Sequence, residues 1–566
     1  MRIKKILMFL VPIFLILFYW KETLLHLSTH LYSWLDGPFV IWVFQNNIRH
    51  FSQFDIVHLY ETNAMYPFPY SLSFTEHMFF PTLFIWFFSF FTSNPLLQFN
   101  LFAVLNHLLI YFCFFLLAGR FTKNFSVKVI VSFFVAFSPY FIGQVGHLQM
   151  VIFWPLLMSL YYVAHPKRSN MHIVFAGVWL GIQFLSAVYL GMLGFGIVAS
   201  YYLFNIPKSD TARVVKEISL SMATFILVSL PSVIGYLLMQ KMYKPVYEQS
   251  QYVTYSAHIS DYFLIFVNNS FVNIYFFRPL IGILNHHKSG EMASFVGIVP
   301  ILVVSGWWLA ESRAKFKKIL KYRSQLLWLV FLIVIGFVFS LGPRMNWNGT
   351  YLVTPLPYWF VLKFVPLIGV MRAVARYYFL IIFALSILLL YSLDSIYSGI
   401  RNPLWKKLFL PITFLLFVIE IYPAPLQTSS RQWISPSYLF LQKACQNNSG
   451  AVFMYPFEYR DRAKNIGKYL SIKTNALLSS TLYACPTLSG FSSFEPLLYK
   501  QWQEDFDTNG IGESQLKILK AHNFRYVRIN REALNDVERM NPKIVIKTNG
   551  LVEIYSDAET IIYAIK

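Results

Sequence analysis

Apolar runs near twenty residues long recur along the first three-quarters of the chain, separated by short basic loops or by longer aromatic segments. A helix of that length crosses a hydrocarbon core about 30 Å thick. The first run follows Met1-Arg-Ile-Lys-Lys5 and ends at Trp20. Lys21 and Glu22 come next without a small-residue cleavage site, so this is read as an uncleaved first span and not as a removed leader. Further spans are predicted over residues 97–118, 127–142, 150–164, 218–240, 294–310, 325–342, 374–393 and 408–424. Residues 172–205 would make a helix about 50 Å long, too long for one crossing. The reading splits them at Ser186-Ala-Val-Tyr189 into two short spans with a tight turn, for eleven crossings in all. The apolar patch Met78–Phe91 is short and holds Pro81, which suits a helix lying at the interface better than one that spans.

Basic residues set the orientation. Arg2, Lys4 and Lys5 precede the first span; Arg120, Lys123 and Lys128 fall in one short loop; His165-Pro-Lys-Arg168, Lys208 with Arg213 and Lys216, Arg313 through Lys318, and Arg401 with Lys406 and Lys407 fall in others. The positive-inside rule places these loops and the N-terminus in the cytoplasm. Three long segments, 21–96, 241–293 and 343–373, then face outward. They are aromatic and dotted with acids and histidines, so any chemistry is expected there.

Composition agrees. The chain of 566 residues is 56% hydrophobic and only 13% charged, against about 25% charged in soluble domains. The formal charge of +21 sits in the short loops, which is membrane topology and not a nucleic-acid footprint. After about Pro425 charges become frequent and no span-length apolar run remains. Two domains follow: a transmembrane domain over 1–425 and a water-exposed, extracytoplasmic α/β domain over 426–566. In the latter, Ala451–Pro456, Phe524–Ile529, Leu551–Tyr555 and Ile561–Ile565 read as strands and Glu513–His522 as a helix. Cys113 lies in an apolar run. Cys445 and Cys485 would pair if their domain faces an oxidising compartment.

Several residues in the outer segments carry chemistry. Asp36, in Trp34-Leu-Asp-Gly-Pro-Phe-Val-Ile-Trp42, is an acid in an aromatic setting near the membrane, where partial desolvation raises basicity; the other reading is a helix N-cap. Glu76 and His77 close the stretch Tyr66-Pro-Phe-Pro-Tyr-Ser-Leu-Ser-Phe-Thr-Glu-His77 and admit proton transfer, metal binding or phosphate contact, or else an acid at a helix start. His147 and Gln149 lie at an outer turn after Phe137-Ser-Pro-Tyr140. Asp261, Tyr262 and Glu291 lie in the second outer segment; Glu291 is a candidate substrate-binding residue, and the other reading of these acids is that they are solvated. Arg372 and Arg376 stand four apart near the mouth of a span; they would share a helical face and suit bidentate phosphate binding or contact with lipid headgroups.

The ordered set resembles a bacterial branch of the GT-C glycosyltransferase superfamily, near the YfhO-like and mannosyltransferase-like membrane proteins. The residues that carry the likeness are Asp36 after the first span, Tyr66-Pro-Phe-Pro with Glu76, Phe137-Ser-Pro-Tyr140, His147-Leu-Gln149, Ser340-Leu-Gly-Pro343, Leu356-Pro-Tyr358, and Pro366 through Arg376. The resemblance implies a GT-C-like helical membrane protein in the bacterial inner membrane. It implies a polyprenyl-phosphate-linked sugar donor and a glycan, lipid or protein acceptor at the outer face. It makes Asp36 the catalytic or acceptor-orienting acid. Relatives often carry a second acid in the first loop, as in Glu-x-Asp; here Trp34 holds that place. The second acid then comes from Glu76, Asp55 or elsewhere, and a divalent metal stays open. Arg372 and Arg376, with His147 or His77, would meet the lipid phosphate, and Trp42 and Tyr66 would stack on sugar rings. Two other functions compete: a transporter or flippase of a lipid-linked glycan, and a non-catalytic membrane scaffold. Spans nearly free of ionisable residues count against ion-coupled transport.

Overall fold

The computed structural model describes residues 2–205, 211–245, 249–262, 294–313, 323–347, 350–353, 355–364, 371–421, 425–431, 433–447, 450–457, 462–483, 485–540, 545–546 and 549–566. Glu291, Lys208, the basic loop from Lys315 to Lys318 and residues 366–370 lie outside the described residues. The chain divides into two compact units: Met1–Leu25, Phe102–Leu230 and Val246–Gln427 form one, and His26–Leu101, Pro231–Pro245 and Thr428–Lys566 form the other.

The chain is a helical membrane protein. Among the described residues six helices are long and apolar enough to cross a membrane: Pro95–Ala118, Phe125–Gln144, Val188–Asn205, Ala212–Tyr243, Arg323–Ser340 and Val374–Gly399. Shorter apolar helices include Met8–Tyr19, Leu148–Val163, Asn170–Ser186 and Ile298–Glu311. Phe79–Ser89 is a separate helix of 11 residues, about 16 Å long and too short to cross. Its Leu83 and Phe87 are exposed, with Phe90 and Phe91 just beyond.

In the first unit, the run over 172–205 is broken where its length requires. The helix Asn170–Ser186 ends, Ala187 is extended (φ −161°, ψ 115°), and Val188 starts the next helix. The chain doubles back sharply, since a Cβ on Gly191 would meet the Cα of Phe184 at 2.9 Å. Lipid gives no hydrophobic drive between helices, so small residues and polar clips hold them. Gly177 and Gly181 allow the close approach, because a Cβ there would strike Ser221 O at 2.3 Å and Val228 at 2.6 Å. Gln183 is the polar clip, accepting from Leu156 N at 3.1 Å and donating to Ile152 O at 2.8 Å. Near the start of the unit, Trp20 donates to His107 Nδ1 and His107 Nε2 reaches Ala136 O, both at 2.9 Å. The ring therefore carries its proton on Nε2.

The second unit is built on a four-stranded sheet of β1 (Ala451–Tyr455), β2 (Phe524–Asn530), β3 (Leu551–Ser556) and β4 (Thr560–Ile565), in the order β1-β2-β4-β3. β1 and β2 are parallel and the other pairs antiparallel. The first long outer segment packs with it. His30–Leu31 pairs with Ser429–Ser430. Tyr66 N donates to Thr487 O at 3.0 Å, Asn63 Nδ2 to Ser480 O at 2.9 Å, and Phe39 meets Phe491 edge-on at 5.3 Å. This unit is therefore assembled from stretches nearly 400 residues apart in sequence.

Cys445 and Cys485 form a disulfide with a Cα–Cα separation of 5.6 Å, while Cys113 is free and buried. The bond closes a loop with a sequence separation of 40. Loop closure of that size is worth about 4 kcal/mol in the unfolded-chain account. Denatured protein is expected to take one maleimide per chain before reduction and three after, read by intact mass; three before reduction would remove the bond.

Candidate functional site

Each unit carries its own set of candidate groups. In the second unit, Asp36 opens the helix Asp36–Ser52, with Leu35 at the cap position. The N-cap alternative for Asp36 fails on geometry, because Ser33 Oγ accepts from Gly37 N at 3.0 Å and so caps that end of the helix. Asp36 is only 8% exposed. Glu76 is also buried, at 7%. It does not start a helix: His77 and Met78 separate it from Phe79, where the next helix begins. The Tyr60 phenol feels it. Burial pushes that hydroxyl far above its ordinary value, and the charge of Glu76 adds to the shift. Tyr60 Oη donates to the carbonyls of Pro231 and Ser232 at 3.1 and 3.0 Å.

Four expectations change in this unit. His77 is fully buried, neither ring nitrogen has a hydrogen-bond partner, and Tyr60, Phe79 and Tyr236 enclose the ring. Burial pushes its pKa down to about 3, so it is neutral and cannot answer a phosphate charge. Trp42 is buried, with Nε1 bonded to Asn63 Oδ1 at 2.9 Å, and its face is not open to a sugar. Tyr66 packs edge-on against Phe524 at 5.7 Å, an internal contact of the unit. Asp55 accepts from His58 Nδ1 at 2.9 Å and contacts His50 Nδ1 at 3.3 Å. Desolvation opposes ionisation there, but the bonds from His58 and His50 win and hold the carboxyl below its usual range. A carboxylate stabilised in this way is a poor base.

The His77 finding has a direct test. The unfolded chain binds a proton near pH 6.5 and the fold resists it down to about 3. The stability linked to this ring is therefore full above about pH 6.5 and is lost progressively as pH falls toward 3. His77→Phe should flatten that acid dependence, followed by denaturant midpoints across pH, while leaving activity intact. Lost activity in a folded variant would reinstate the phosphate role.

In the first unit, Arg372 and Arg376 do not lie together on a regular α-helix. Arg376 sits in the 3-10 turn Val374–Tyr377 and Arg372 precedes it; the helix proper begins at Tyr378. Tyr189 joins them instead. Its hydroxyl accepts from Arg372 N at 3.2 Å, and the Arg376 guanidinium lies 5.3 Å from its ring centre. Arg372 stacks on Tyr255 at 4.8 Å, and Tyr255 O accepts from Ala375 N at 3.0 Å. Sequence reasoning did not single out Tyr189 as a site residue; its signal is its place at the break in the 172–205 run. Tyr140, beside the His147 turn, packs on Tyr378 and Phe379 at 5.9 and 5.0 Å. The sequence motifs around Tyr140 and Arg376 thus converge. Within that turn His147 N donates to Gln144 O at 2.8 Å, and Gln149 is buried. Asp261 is buried too, not solvated, and accepts from His258 N at 2.6 Å.

Among the described residues no group of three or more His, Cys, Asp and Glu side chains is placed to hold a metal ion.

Two solved structures share the fold. The mycobacterial arabinofuranosyltransferase AftD aligns with a TM-score of 0.58 at 12% identity, over 100% of this chain and 40% of that one. The apo oligosaccharyltransferase of Archaeoglobus fulgidus aligns with a TM-score of 0.51 at 12% identity, over 99% and 74%. This chain therefore spans about two-fifths of the length of the arabinofuranosyltransferase. The chain belongs to the family described as a domain of unknown function (DUF6311), which matches residues 48–421. No curated protein matches it.

Proposed function

We propose that the protein is a membrane glycosyltransferase that moves a sugar from a polyprenyl-phosphate-linked donor to a glycan, lipid or protein acceptor. The observation that carries the reading is Asp36: a buried acid at the start of a helix whose capping bond is made by Ser33. It is joined by a fold shared with AftD and the archaeal oligosaccharyltransferase, which act on sugars according to their names. The closer likeness to YfhO-like and mannosyltransferase-like proteins belongs to this proposal.

Asp36 takes the proton of an acceptor hydroxyl as its oxygen attacks the anomeric carbon. The bond from that carbon to the phosphate oxygen breaks, and its electron pair leaves with the lipid phosphate. Arg372 and Arg376 meet that charge, with His147 and Gln149 as further polar groups on their side and Glu76 as the second acid. The N-terminal end of a 22-residue helix favours anions, yet two cations stand at this one. A bound phosphate resolves that mismatch.

The reaction belongs at the outer face of the bacterial inner membrane, with eleven crossings, the N-terminus inside and residues 426–566 outside. The basic loops and the Cys445–Cys485 bond support this orientation, since structural disulfides persist in oxidising compartments. The test is transfer of radiolabelled sugar from a lipid carrier in membranes with and without the protein, paired with mass spectrometry of envelope glycans. Unchanged glycans and no protein-dependent transfer would reject the reading.

A further inference from the structure

The C-terminal part of the second unit holds a cationic cavity that the transfer reading does not use. Its volume is 50 Å³, and Tyr455, Lys473, Ser489, Arg528, Asn530 and Ala533 line it together with apolar neighbours. The topology is informative. β1 and β2 are the parallel pair, with Met454 beside Arg528 and Tyr455 beside Ile529. The cavity lies at their carboxyl ends, where open α/β sheets bind ligands because side chains and helix starts converge there. The helix Arg531–Met540 begins at the same place. Asn530 caps it, its Oδ1 accepting from Ala533 N at 2.8 Å.

Arg528 is the informative group. It is 8% exposed. Nη2 donates to Ser437 Oγ at 3.2 Å and Thr560 Oγ1 at 3.1 Å, and the guanidinium lies 4.2 Å from the Tyr438 ring centre. Nε is buried and has no partner. A guanidinium keeps its charge, and a buried charge without a matching anion is costly. No carboxylate lies within ion-pair distance of it among the described residues. The nearby acids are not within ion-pair distance of it: Asp557 feels the Arg528 charge but is bonded by Tyr555 Oη, Glu559 N and Thr560 N, and Glu495 sits 3.8 Å from Lys473. The fork is rigid and its remaining donors suit two oxygens of one anion.

We infer that the cavity at the carboxyl ends of β1 and β2 binds the oxyanion of a small ligand, a carboxylate or a phosphate, on Arg528 with Lys473 beside it. The volume suits the anionic group alone, so the rest of the ligand extends outward. This site is independent of Asp36 and stands whether or not the chain transfers sugars.

The test uses the full chain in detergent at constant ionic strength. Inorganic phosphate is followed by phosphorus NMR line broadening and carbon-labelled acetate by carbon NMR. Wild-type protein should bind at least one of them saturably. Tighter phosphate identifies a phosphate ester as the ligand group, and tighter acetate a carboxylate. Arg528→Lys keeps the charge but loses the fork, and should bind about tenfold or more weakly, the size of one lost charge-assisted bond. Lys473→Gln, which leaves the Arg528 bonds untouched, should weaken binding severalfold and serves alone if the first variant misfolds. Absence of saturable binding to folded wild type, or wild-type affinity in either folded variant, overturns the inference.

Discussion

Asp36→Asn should leave the protein folded and reduce sugar transfer by about 10²–10⁴-fold, the range that a positioned general base supplies. The two side chains have the same shape, but the amide cannot accept the acceptor's proton. The helix start keeps the bond from Gly37 to Ser33 and loses a favourable first-turn charge, about 0.3–1 kcal/mol. Initial rates of label transfer in membranes give the first quantity, and intact disulfide with an unchanged elution profile gives the control. A fully active Asp36→Asn protein would reject the catalytic role. Ser33→Ala should do the opposite, with a cost of about 1 kcal/mol in stability and most activity kept.

Arg372→Gln and Arg376→Gln should each lower kcat/KM by about tenfold or more, as loss of a charge-assisted hydrogen bond at a developing phosphate charge predicts. The double variant should fall short of the product of the two effects, because both arginines are proposed to meet one phosphate and residues sharing a partner couple. Lysine should restore only part of the loss at either position, since it lacks the planar fork. Stability separates this from a structural role. Two cations at the N-terminal end of the helix Tyr378–Gly399 oppose its dipole, and relief of that opposition offsets part of the lost contacts with Tyr255 and Tyr189, so the Gln variants should lose far more activity than stability. Arginines that merely hold the fold would lose activity and stability together. Wild-type turnover in both single variants would remove the phosphate role.

Much of the helical plan was legible because a membrane constrains length. A run of about 50 Å cannot cross a core of about 30 Å once, and the break falls at Ala187. The strands at Ala451, Phe524, Leu551 and the chain end were legible from short β-rich runs between turn residues, and each is present. Asp36 and the arginines stood out because charge is scarce in this chain. The roles of Trp42, Tyr66 and His77 were not legible. Each is a polar-tipped aromatic, and only its neighbours decide whether its face is open or filled. Those neighbours come from far along the chain: Phe524 for Tyr66 and Tyr236 for His77.

The sequence by itself determined the local plan: where apolar length requires a helix, where a run must break, and which few charges lie near the spans. Tertiary structure alone decided that Tyr189 joins two arginines, that Cys445 meets Cys485, and that Arg528, with a buried unpartnered donor, lines a cavity. The physical reason is range. Helix and strand formation follow from neighbours within a few residues, whereas desolvation and partner choice depend on atoms brought together only when distant segments pack.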